Sequence, residues 1–355
     1  DLQSAQGISR RRGIGRASLS LVRAIASADH GHEIHFLLNG NFIESTTELI
    51  CLLKNIVSRK QIHIWNSLDD VKACEPINQW RGRAAELIRA RAINDIRPDL
   101  IHVTSIFEGW ADDVAVSIGD ESPAIPTVVT LYDLIPYTWS EEYLNHEAVR
   151  NWYMNKLSQV GHAKCIFTIS DSVRHEATES SLFPNAKIEV VTLDADDIFK
   201  PIGNEGAAFD DLKSRYHING SYILYTSGID KRKNLDSLIE AYALLPHSLR
   251  KTHQLVVVCE ISDGVLAEYQ MRVDKRGLAT EDVIFTGYVC DQDLVALYNC
   301  CELFVFPSRY EGFGLPILEA MKCGAVVIAS NCSSMPEVVG MQDALFDPDN
   351  IKDIS

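Results

Sequence analysis

Two glutamates near the end of the chain, Glu311 and Glu319, are the strongest candidates for chemistry. They flank a glycine-rich turn that reads Gly-Phe-Gly-Leu-Pro from Gly312 to Pro316. If a helix begins there, its first N–H groups attract a phosphate. The two carboxylates can only accept hydrogen bonds, and a carboxylate beside a phosphate is unfavourable. The pattern therefore predicts a site for a phosphorylated ligand that also carries sugar or ribose hydroxyls.

The segments around this turn predict the elements that must present it. The run Leu303–Phe306 is short and rich in aromatic and β-branched residues, as in a buried strand. Pro316 suits a first helical turn and Gly324 suits a helix end, and 325–329 is a second apolar run. A strand, a loop, a helix and a strand in this order predict a parallel sheet. Open sheets of this kind bind ligands at the carboxyl ends of their strands.

The glutamate pair also resembles a family motif. Its members stand eight positions apart, with Pro-Ser-Arg-Tyr before them and Met-Pro-Glu-Val at 335–338 after them, as in retaining GT-B glycosyltransferases of family GT4. The resemblance covers essentially the whole chain and is densest from Tyr222 onward. It implies that Glu311 contacts the transferred sugar and that Glu319 contacts the nucleotide ribose. It also implies that three backbone amides contact the donor phosphates, those of Phe313, Gly314 and Leu315.

Two basic loops resemble further parts of that family. Residues 10–16 read Arg-Arg-Arg-Gly-Ile-Gly-Arg, and the resemblance places Gly13 and Gly15 at the donor phosphates. A solvated basic loop, or one that meets an anionic acceptor or lipid headgroups, is the alternative. The second basic loop, residues 227–234, precedes a helix that we predict over 235–245. An anion is expected at the N-terminal end of such a helix. We assign Lys233 in this loop to the donor diphosphate and Arg232 to a helping role.

Two turns that follow predicted strands supply the remaining candidates. Tyr132 stands where many relatives carry a histidine near the reacting sugar, and Asp133 follows it. We expect Tyr132 to donate a hydrogen bond to the sugar and Asp133 to contact sugar or acceptor hydroxyls; a purely structural turn is the alternative. After the predicted strand 283–285, Tyr288 and Val289 are expected to meet the nucleobase.

Composition limits the classes of function. A length of 355 residues predicts two domains, and 46% hydrophobic residues are enough for two cores. A formal net charge of −16 argues against general nucleic-acid binding. Nine cysteines without a paired C-x-x-C pattern predict reduced thiols in a cytoplasmic protein. No apolar run approaches the roughly 20 residues of a transmembrane helix. Peripheral contact with the inner face of the plasma membrane stays open.

The expected fold is α/β, and the resemblance implies a GT-B fold of two Rossmann-like domains facing across a cleft. We predict an acceptor-side domain over 1–196, an interdomain linker over 197–220 and an incomplete donor domain over 221–355. Both chain ends are expected to be truncated, because residues 1–3 resemble the tail of a strand and relatives continue further. Within the first domain we predict one long helix over 141–160.

Two smaller features are also assigned from the sequence. Asp171 and Ser172 are expected to cap the helix that follows the strand near residue 168. The Asp194–Asp197 run contains an Asp-x-Asp pattern, which suggests a metal site in the GT-A glycosyltransferase fold. Its position ahead of the linker favours a simple turn, so we predict no metal.

Together these features predict a retaining, metal-independent hexosyltransferase without a cofactor. Its donor would be a nucleoside-diphosphate sugar and its acceptor a saccharide or lipid-linked saccharide. The Gly-Ile-Gly-Arg, Tyr-Asp-Leu-Ile-Pro and Arg-Lys-Asn turns resemble bacterial mannosyltransferases of O-antigen and exopolysaccharide synthesis, which favours GDP-mannose. UDP-glucose or another hexose donor stays open. The alternatives are a GT-B-fold sugar-nucleotide 2-epimerase and a non-catalytic module that binds nucleotide sugars.

Overall fold

The computed structural model describes residues 1–10, 13–28, 31–120, 124–203 and 206–355. The chain divides into two compact units, Asp1–Leu193 and Asp194–Ser355. Part of the range predicted as a linker forms the helix Gly206–Arg215, which belongs to the second unit. Leu212 of this helix is buried in the core of that unit. The residues around Leu212 have a composition typical of a loop, so the sequence does not show that this leucine belongs to a core.

The first unit is built from parallel strands and α-helices. Its described elements are, in chain order, α1 (Gly13–Ser27), β1 (Phe36–Asn39), α2 (Ile43–Leu53), β2 (Ile62–Trp65), α3 (Gln79–Ile96), β3 (Ile101–Val103), β4 (Thr127–Leu131), α4 (Ile135–Thr138), α5 (Ser140–Tyr143), α6 (Glu147–Val160), β5 (Cys165–Thr168), α7 (Asp171–Glu179) and β6 (Lys187–Val190). Strands β1 and β2 form a parallel pair, and β3 to β6 form a parallel sheet in chain order.

The predicted continuous helix over 141–160 is wrong, because the chain bends between α5 and α6. Leu144 at the bend is buried in the core of the unit. Its carbonyl accepts a hydrogen bond from Arg150 Nε at 3.0 Å, and His146 is extended before α6 begins. Burial of one leucine thus outweighs helical continuity, since tertiary packing overrides local propensity.

The cap predicted at the start of α7 is also displaced by one residue. The side chain of Ser170, rather than that of Asp171 or Ser172, accepts the N–H of Val173 at 3.1 Å. Ser170 has the extended backbone that an N-cap residue requires. A run of three polar residues offers several candidate caps, and the end of the preceding strand decides among them.

The second unit contains one six-stranded parallel sheet. Its described elements are α8 (Gly206–Arg215), β7 (Ser221–Thr226), α9 (Leu235–Leu244), α10 (His247–Arg250), β8 (His253–Val258), α11 (Asp263–Lys275), β9 (Val283–Phe285), α12 (Asp291–Cys300), β10 (Leu303–Phe306), α13 (Leu315–Lys322), β11 (Val327–Ser330), α14 (Met335–Val339), β12 (Leu345–Phe346) and α15 (Ile351–Ile354). The strand order is β12-β11-β10-β7-β8-β9. The order therefore reverses beside β7, which makes the carboxyl ends of β7 and β10 the switch point where such sheets bind ligands.

Side chains of the central strands alternate between the two faces of this sheet. Phe304 and Phe306 of β10 belong to one buried cluster, and Val305 between them belongs to the other. Successive side chains of a strand point to opposite faces. Both faces are therefore covered, as is usual for an all-parallel sheet.

Gly15 makes a close backbone contact at the start of α1. A Cβ atom placed on Gly15 would lie 2.3 Å from the Ser9 carbonyl oxygen and 2.6 Å from Arg10 Cα. Gly13, the first residue of the helix, has no such neighbour within 4 Å. The second glycine of the Gly-Ile-Gly-Arg loop is therefore required by packing within the first unit.

We predict that Gly15→Ala destabilises the first unit by about 1–3 kcal/mol, because the added methyl group overpacks against backbone. Gly13→Ala is the matched control and should be neutral or stabilising by up to about 1 kcal/mol, since alanine is the better helix former. The measurement is the urea midpoint of each variant. Equal midpoints for the two variants would contradict the contact.

Candidate functional site

The strand–loop–helix–strand unit predicted around Gly312 is present. Strand β10 leads into the loop at 307–314, α13 follows, and β11 pairs with β10 in parallel. Gly314 is the N-cap of α13 and has a φ of 104°, in the left-handed region that glycine tolerates. The predicted donor loop thus lies at the carboxyl end of a central strand and at the start of a helix.

Glu311 in this loop is held between two basic side chains. One carboxylate oxygen lies 2.6 Å from Lys233 Nζ, and the other lies 3.0 Å from Arg232 Nη1. All three side chains are largely buried, with 11% of Glu311 exposed. Burial favours the neutral carboxyl, but the charges of Lys233 and Arg232 outweigh it and hold the pKa of Glu311 below its usual value. Glu311 is therefore an anion in the folded chain at neutral pH.

The order of strands explains how residues so distant in sequence meet. Arg232 and Lys233 end a 3-10 turn that follows β7, and Glu311 follows β10, the neighbour of β7. The two loops are also joined through their backbones, since the Arg309 N–H donates to the Arg232 carbonyl at 2.7 Å. Arg232 Nη1 lies 3.0 Å from the Tyr310 carbonyl. The basic loop and the glutamate loop form one bonded structure.

Two serines after β11 hold the same loop by its backbone. The Ser333 hydroxyl donates to the Glu311 carbonyl at 2.6 Å and accepts its N–H at 3.3 Å. The buried Ser334 hydroxyl lies 2.7 Å from the Phe313 carbonyl. In a planar trans peptide the next N–H points opposite to the carbonyl, so the Gly314 N–H points away from Ser334. This arrangement orients an amide that the sequence predicts for the donor phosphates.

Glu319, one turn inside α13, belongs to a chain of polar contacts. The Tyr298 hydroxyl donates to Glu319 Oε2 at 3.1 Å, and Thr226 Oγ1 lies 2.8 Å from the Tyr298 hydroxyl. Tyr298 is fully buried on α12, and Thr226 is the last residue of β7. Glu319 itself is half-buried. The Glu319 side chain is therefore partly exposed, and its carboxylate is hydrogen-bonded to the buried Tyr298.

The two residues predicted for the nucleobase differ in exposure. Tyr288, after β9, is 74% exposed, whereas Val289 is packed into the core of the unit. The side chain of Val289 is thus engaged in packing, and only its backbone can face a ligand.

The candidates of the first unit lie after β4 and in the loop before α1. Tyr132 is buried, its hydroxyl lies 2.7 Å from Ser18 Oγ, and burial raises its pKa to about 12. Asp133 Oδ1 accepts the Ile135 N–H at 3.0 Å, at the start of α4. Asp133 therefore stabilises the turn after β4. A structural turn is the alternative that the sequence left open for this residue.

In the basic loop, Arg10 pairs with Glu44 of α2 at 3.0 Å. Arg11 and Arg12, which belong to the same predicted basic loop, lie outside the described residues. Gly13 and Gly15 begin α1, as described above. Packing accounts for Gly15, and the donor role predicted for both glycines stays a prediction.

The Asp-x-Asp segment forms turns. Asp194 Oδ1 lies 2.8 Å from Lys322 Nζ, and Asp196 Oδ1 accepts the Ile198 N–H at 3.1 Å. Within the described parts of the chain, no three His, Cys, Asp or Glu side chains are grouped to hold a metal ion.

Comparison with known families matches both units. The family model described as Glycosyltransferase Family 4 matches residues 11–192, and that described as Glycosyl transferases group 1 matches residues 212–355. O-antigen chain mannosyltransferase B of Escherichia coli is 30% identical, over 97% of this chain and 85% of its own length. The chain belongs to glycosyltransferase family 4.

This family 4 chain is also similar to a longer protein. Serotype-specific mannosyltransferase WbdA of Escherichia coli is 36% identical over 100% of the chain, which spans 42% of the length of WbdA. Among solved structures, HepE of Anabaena, crystallised with UDP and glucose, matches with a TM-score of 0.56 at 17% identity, over 95% of this chain and 84% of HepE. The predicted α/β GT-B fold with two domains is confirmed.

Two further features of the family 4 chain concern its cysteines and the polarity of its helices. All nine cysteines lie in described residues and carry free thiols. None of the helices that the structure describes is both long enough and apolar enough to cross a bilayer.

Four residues that support the site were not predicted from the sequence. Tyr298, Ser333 and Ser334 contact predicted site residues or their backbone, and Thr226 contacts Tyr298. Tyr298 lies in α12 beside the buried Leu297, where the sequence alone does not distinguish a tyrosine that packs from one that supports a site. The Ser333-Ser334 pair, shortly after β11, is the one local signal, because serine hydroxyls in a turn can bond to nearby backbone groups.

We predict that Glu311 contributes a pH-dependent part of the stability. Because its pKa is lowered on folding, its ionisation stabilises the folded chain above the usual glutamate value of 4.5, and this contribution is lost as the pH falls through the folded pKa. The urea midpoint of Glu311→Gln should therefore fall less steeply on acidification below that value than the midpoint of the parent. Glu337→Gln, at an exposed position on α14, is the control and should follow the parent. Parallel acid profiles for all three proteins would contradict this assignment.

Proposed function

We propose that this chain transfers a mannosyl group from GDP-mannose to a saccharide or lipid-linked saccharide, with retention of anomeric configuration and without a metal ion. The observation that carries the proposal is the Glu311 carboxylate, held between Lys233 and Arg232 at the N-terminal end of α13. The names of the similar proteins, O-antigen chain mannosyltransferase B and WbdA, support mannose as the sugar and O-antigen synthesis as the setting.

The donor diphosphate would bind to fixed positive groups of the second unit. Lys233 and Arg232 supply two charges, and the amides of Phe313, Gly314 and Leu315 lie at a helix N-terminus, which favours an anion. Two carboxylates, those of Glu311 and Asp230, balance part of this charge. These groups would stabilise the leaving diphosphate. A divalent cation performs that role in other reactions in which a phosphate group leaves.

Glu311 would act on the sugar. An ionised carboxylate accepts hydrogen bonds from sugar hydroxyls and stabilises positive charge that develops at the anomeric carbon. The bond from that carbon to the phosphate oxygen breaks, and the acceptor oxygen forms a new bond to the carbon on the same face. The acceptor proton passes to the departing phosphate oxygen, so no separate protein base is required. The enzyme mainly positions the reactants.

Tyr132 and Asp133 would supply the acceptor side of the reaction. With a pKa of about 12, Tyr132 keeps its proton at neutral pH and can donate a hydrogen bond but cannot act as a base. Asp133 would accept from sugar or acceptor hydroxyls. The cytoplasmic location and the peripheral membrane contact considered from the sequence stay predictions.

The donor is identified by a binding screen. We expect GDP-mannose to raise the melting temperature of the chain more than UDP-glucose, UDP-mannose or ADP-glucose does. HepE was crystallised with UDP and glucose, so a larger shift with UDP-glucose is the outcome that would replace the proposed donor. Release of GDP only when saccharide is added distinguishes transfer from epimerisation, which needs no acceptor.

We predict that Glu311→Gln lowers transfer by roughly tenfold or more, equivalent to about 1.4 kcal/mol in the barrier. Glutamine keeps the size and an acceptor oxygen but loses the charge that the transition state requires. GDP should bind the variant within about threefold of the parent, because its ribose and phosphates contact other groups. The measurements are initial rates with saccharide acceptor and calorimetric titration with GDP. Transfer at the parental rate would remove Glu311 from the catalytic site.

We predict that a chelator leaves donor binding and transfer unchanged, because two cationic side chains and a helix N-terminus neutralise the diphosphate. The assay compares rates in excess EDTA with rates in added Mg²⁺ or Mn²⁺. Asp196→Asn is the matched variant for the Asp-x-Asp segment and should keep the parental rate. Loss of transfer in EDTA that manganese restores would show that a metal takes part.

A further inference from the structure

Tyr298 is a buried tyrosine whose hydroxyl reaches one predicted donor-binding side chain. Its hydroxyl lies 3.1 Å from Glu319 Oε2 and 2.8 Å from Thr226 Oγ1. An ionised carboxylate can only accept, and a phenol has one proton. Tyr298 therefore donates to Glu319, and Thr226 donates to the Tyr298 oxygen. The two bonds run in one direction, from the end of β7 through α12 to α13.

The surroundings of Tyr298 keep its hydroxyl in one place. The ring makes edge contacts with Phe199 and Phe304, at centroid distances of 6.0 and 5.4 Å, and no part of the residue is exposed. Burial, reinforced by the nearby Glu319 charge, raises the pKa of Tyr298 well above its usual value. The group is therefore a neutral donor at neutral pH.

The Glu319 side chain has more conformational freedom than the side chain of Tyr298. A glutamate has several rotatable bonds and loses rotamer entropy when a ligand fixes it. A carboxylate that is already bonded to a rigid donor through one oxygen has lost much of that freedom before the ligand arrives. A ligand hydroxyl then meets an acceptor that is oriented in advance.

We propose that Tyr298 is a positioning residue for Glu319, and that its buried hydroxyl holds the carboxylate in the orientation that accepts the ribose hydroxyls of the donor nucleotide. This inference rests on the proposed function, in which Glu319 binds the ribose. Tyr298 does not touch the nucleotide, and its effect on binding passes entirely through Glu319. Its contribution is therefore specific to ligands with ribose hydroxyls.

The chain offers a matched control in Tyr222. Tyr222 is also fully buried, belongs to the same cluster, and donates its hydroxyl to a backbone carbonyl of α12, that of Leu297, at 2.8 Å. Tyr222→Phe removes the same atom from the same core without touching Glu319. A general packing effect would appear in both variants, and a positioning effect only in Tyr298→Phe.

The experiment is calorimetric titration of the parent, Tyr298→Phe, Tyr222→Phe, Glu319→Ala and the Tyr298→Phe/Glu319→Ala double variant. The probes are GDP and 2′,3′-dideoxyguanosine diphosphate. We expect Tyr298→Phe to weaken GDP binding by about three- to tenfold and Tyr222→Phe to change it by less than twofold. The dideoxy probe should bind the parent and Tyr298→Phe equally. In the Glu319→Ala background, which leaves no acceptor for the Tyr298 hydroxyl at this position, Tyr298→Phe should have no further effect on GDP binding.

Several results would overturn the inference. Parental GDP affinity in Tyr298→Phe, while Glu319→Ala binds weakly, removes Tyr298 from the site and leaves the proposed function intact. Equal weakening of both probes, or additive effects in the double variant, indicates a packing role alone. If Tyr298→Phe does not fold, Thr226→Val tests the same chain of bonds and should weaken GDP binding with the same ribose dependence. A parent that binds neither GDP nor UDP overturns the proposed function and this inference with it.

Discussion

A buried carboxylate is stable only where opposite charge replaces its lost hydration, and Glu311 meets this condition through Lys233 and Arg232. The requirement is mutual, because either cation alone would also be costly to bury. Each of the three groups therefore depends on the others for its place. The two cations and the N-terminal end of α13 provide the positive groups that suit a diphosphate, and Asp230, 3.8 Å from Arg232, is a second and more exposed anion beside them.

The topology of the sheet is what brings these charges together. Strand β7 lies between β8 and β10, so the loops after β7 and β10 leave the same edge side by side. The backbone bond from Arg309 to Arg232 then ties one loop to the other. Loops positioned by a rigid sheet can carry function without being stable alone. The first unit uses the same principle at the end of β4, where Tyr132 meets Ser18 of α1.

Buried hydroxyl groups form hydrogen bonds to predicted site residues in both units. In the second unit they fix functional groups, since Ser333 and Ser334 hold the Glu311 loop and Tyr298 reaches Glu319. In the first unit, Ser18 bonds both Tyr132 and Ser4. Burial of a hydroxyl without a partner is costly. Each such contact therefore specifies one arrangement of the groups it joins, and small polar residues become as important to the site as the charged ones.

The sequence by itself determined the local parts of this protein. Spacing, turn residues and apolar runs predicted β10, the glycine-rich turn, α13 and β11, because each depends on neighbours within a few residues. The family motif identified Glu311 and Glu319 for the same reason, since both lie in one short segment. Only the tertiary structure decided which distant groups they meet. Glu311 and Lys233 are 78 positions apart, and Glu319 and Tyr298 are 21 positions apart. The bend at Leu144 and the burial of Val289 were likewise decided by packing, because strand order and core shape depend on the whole chain at once.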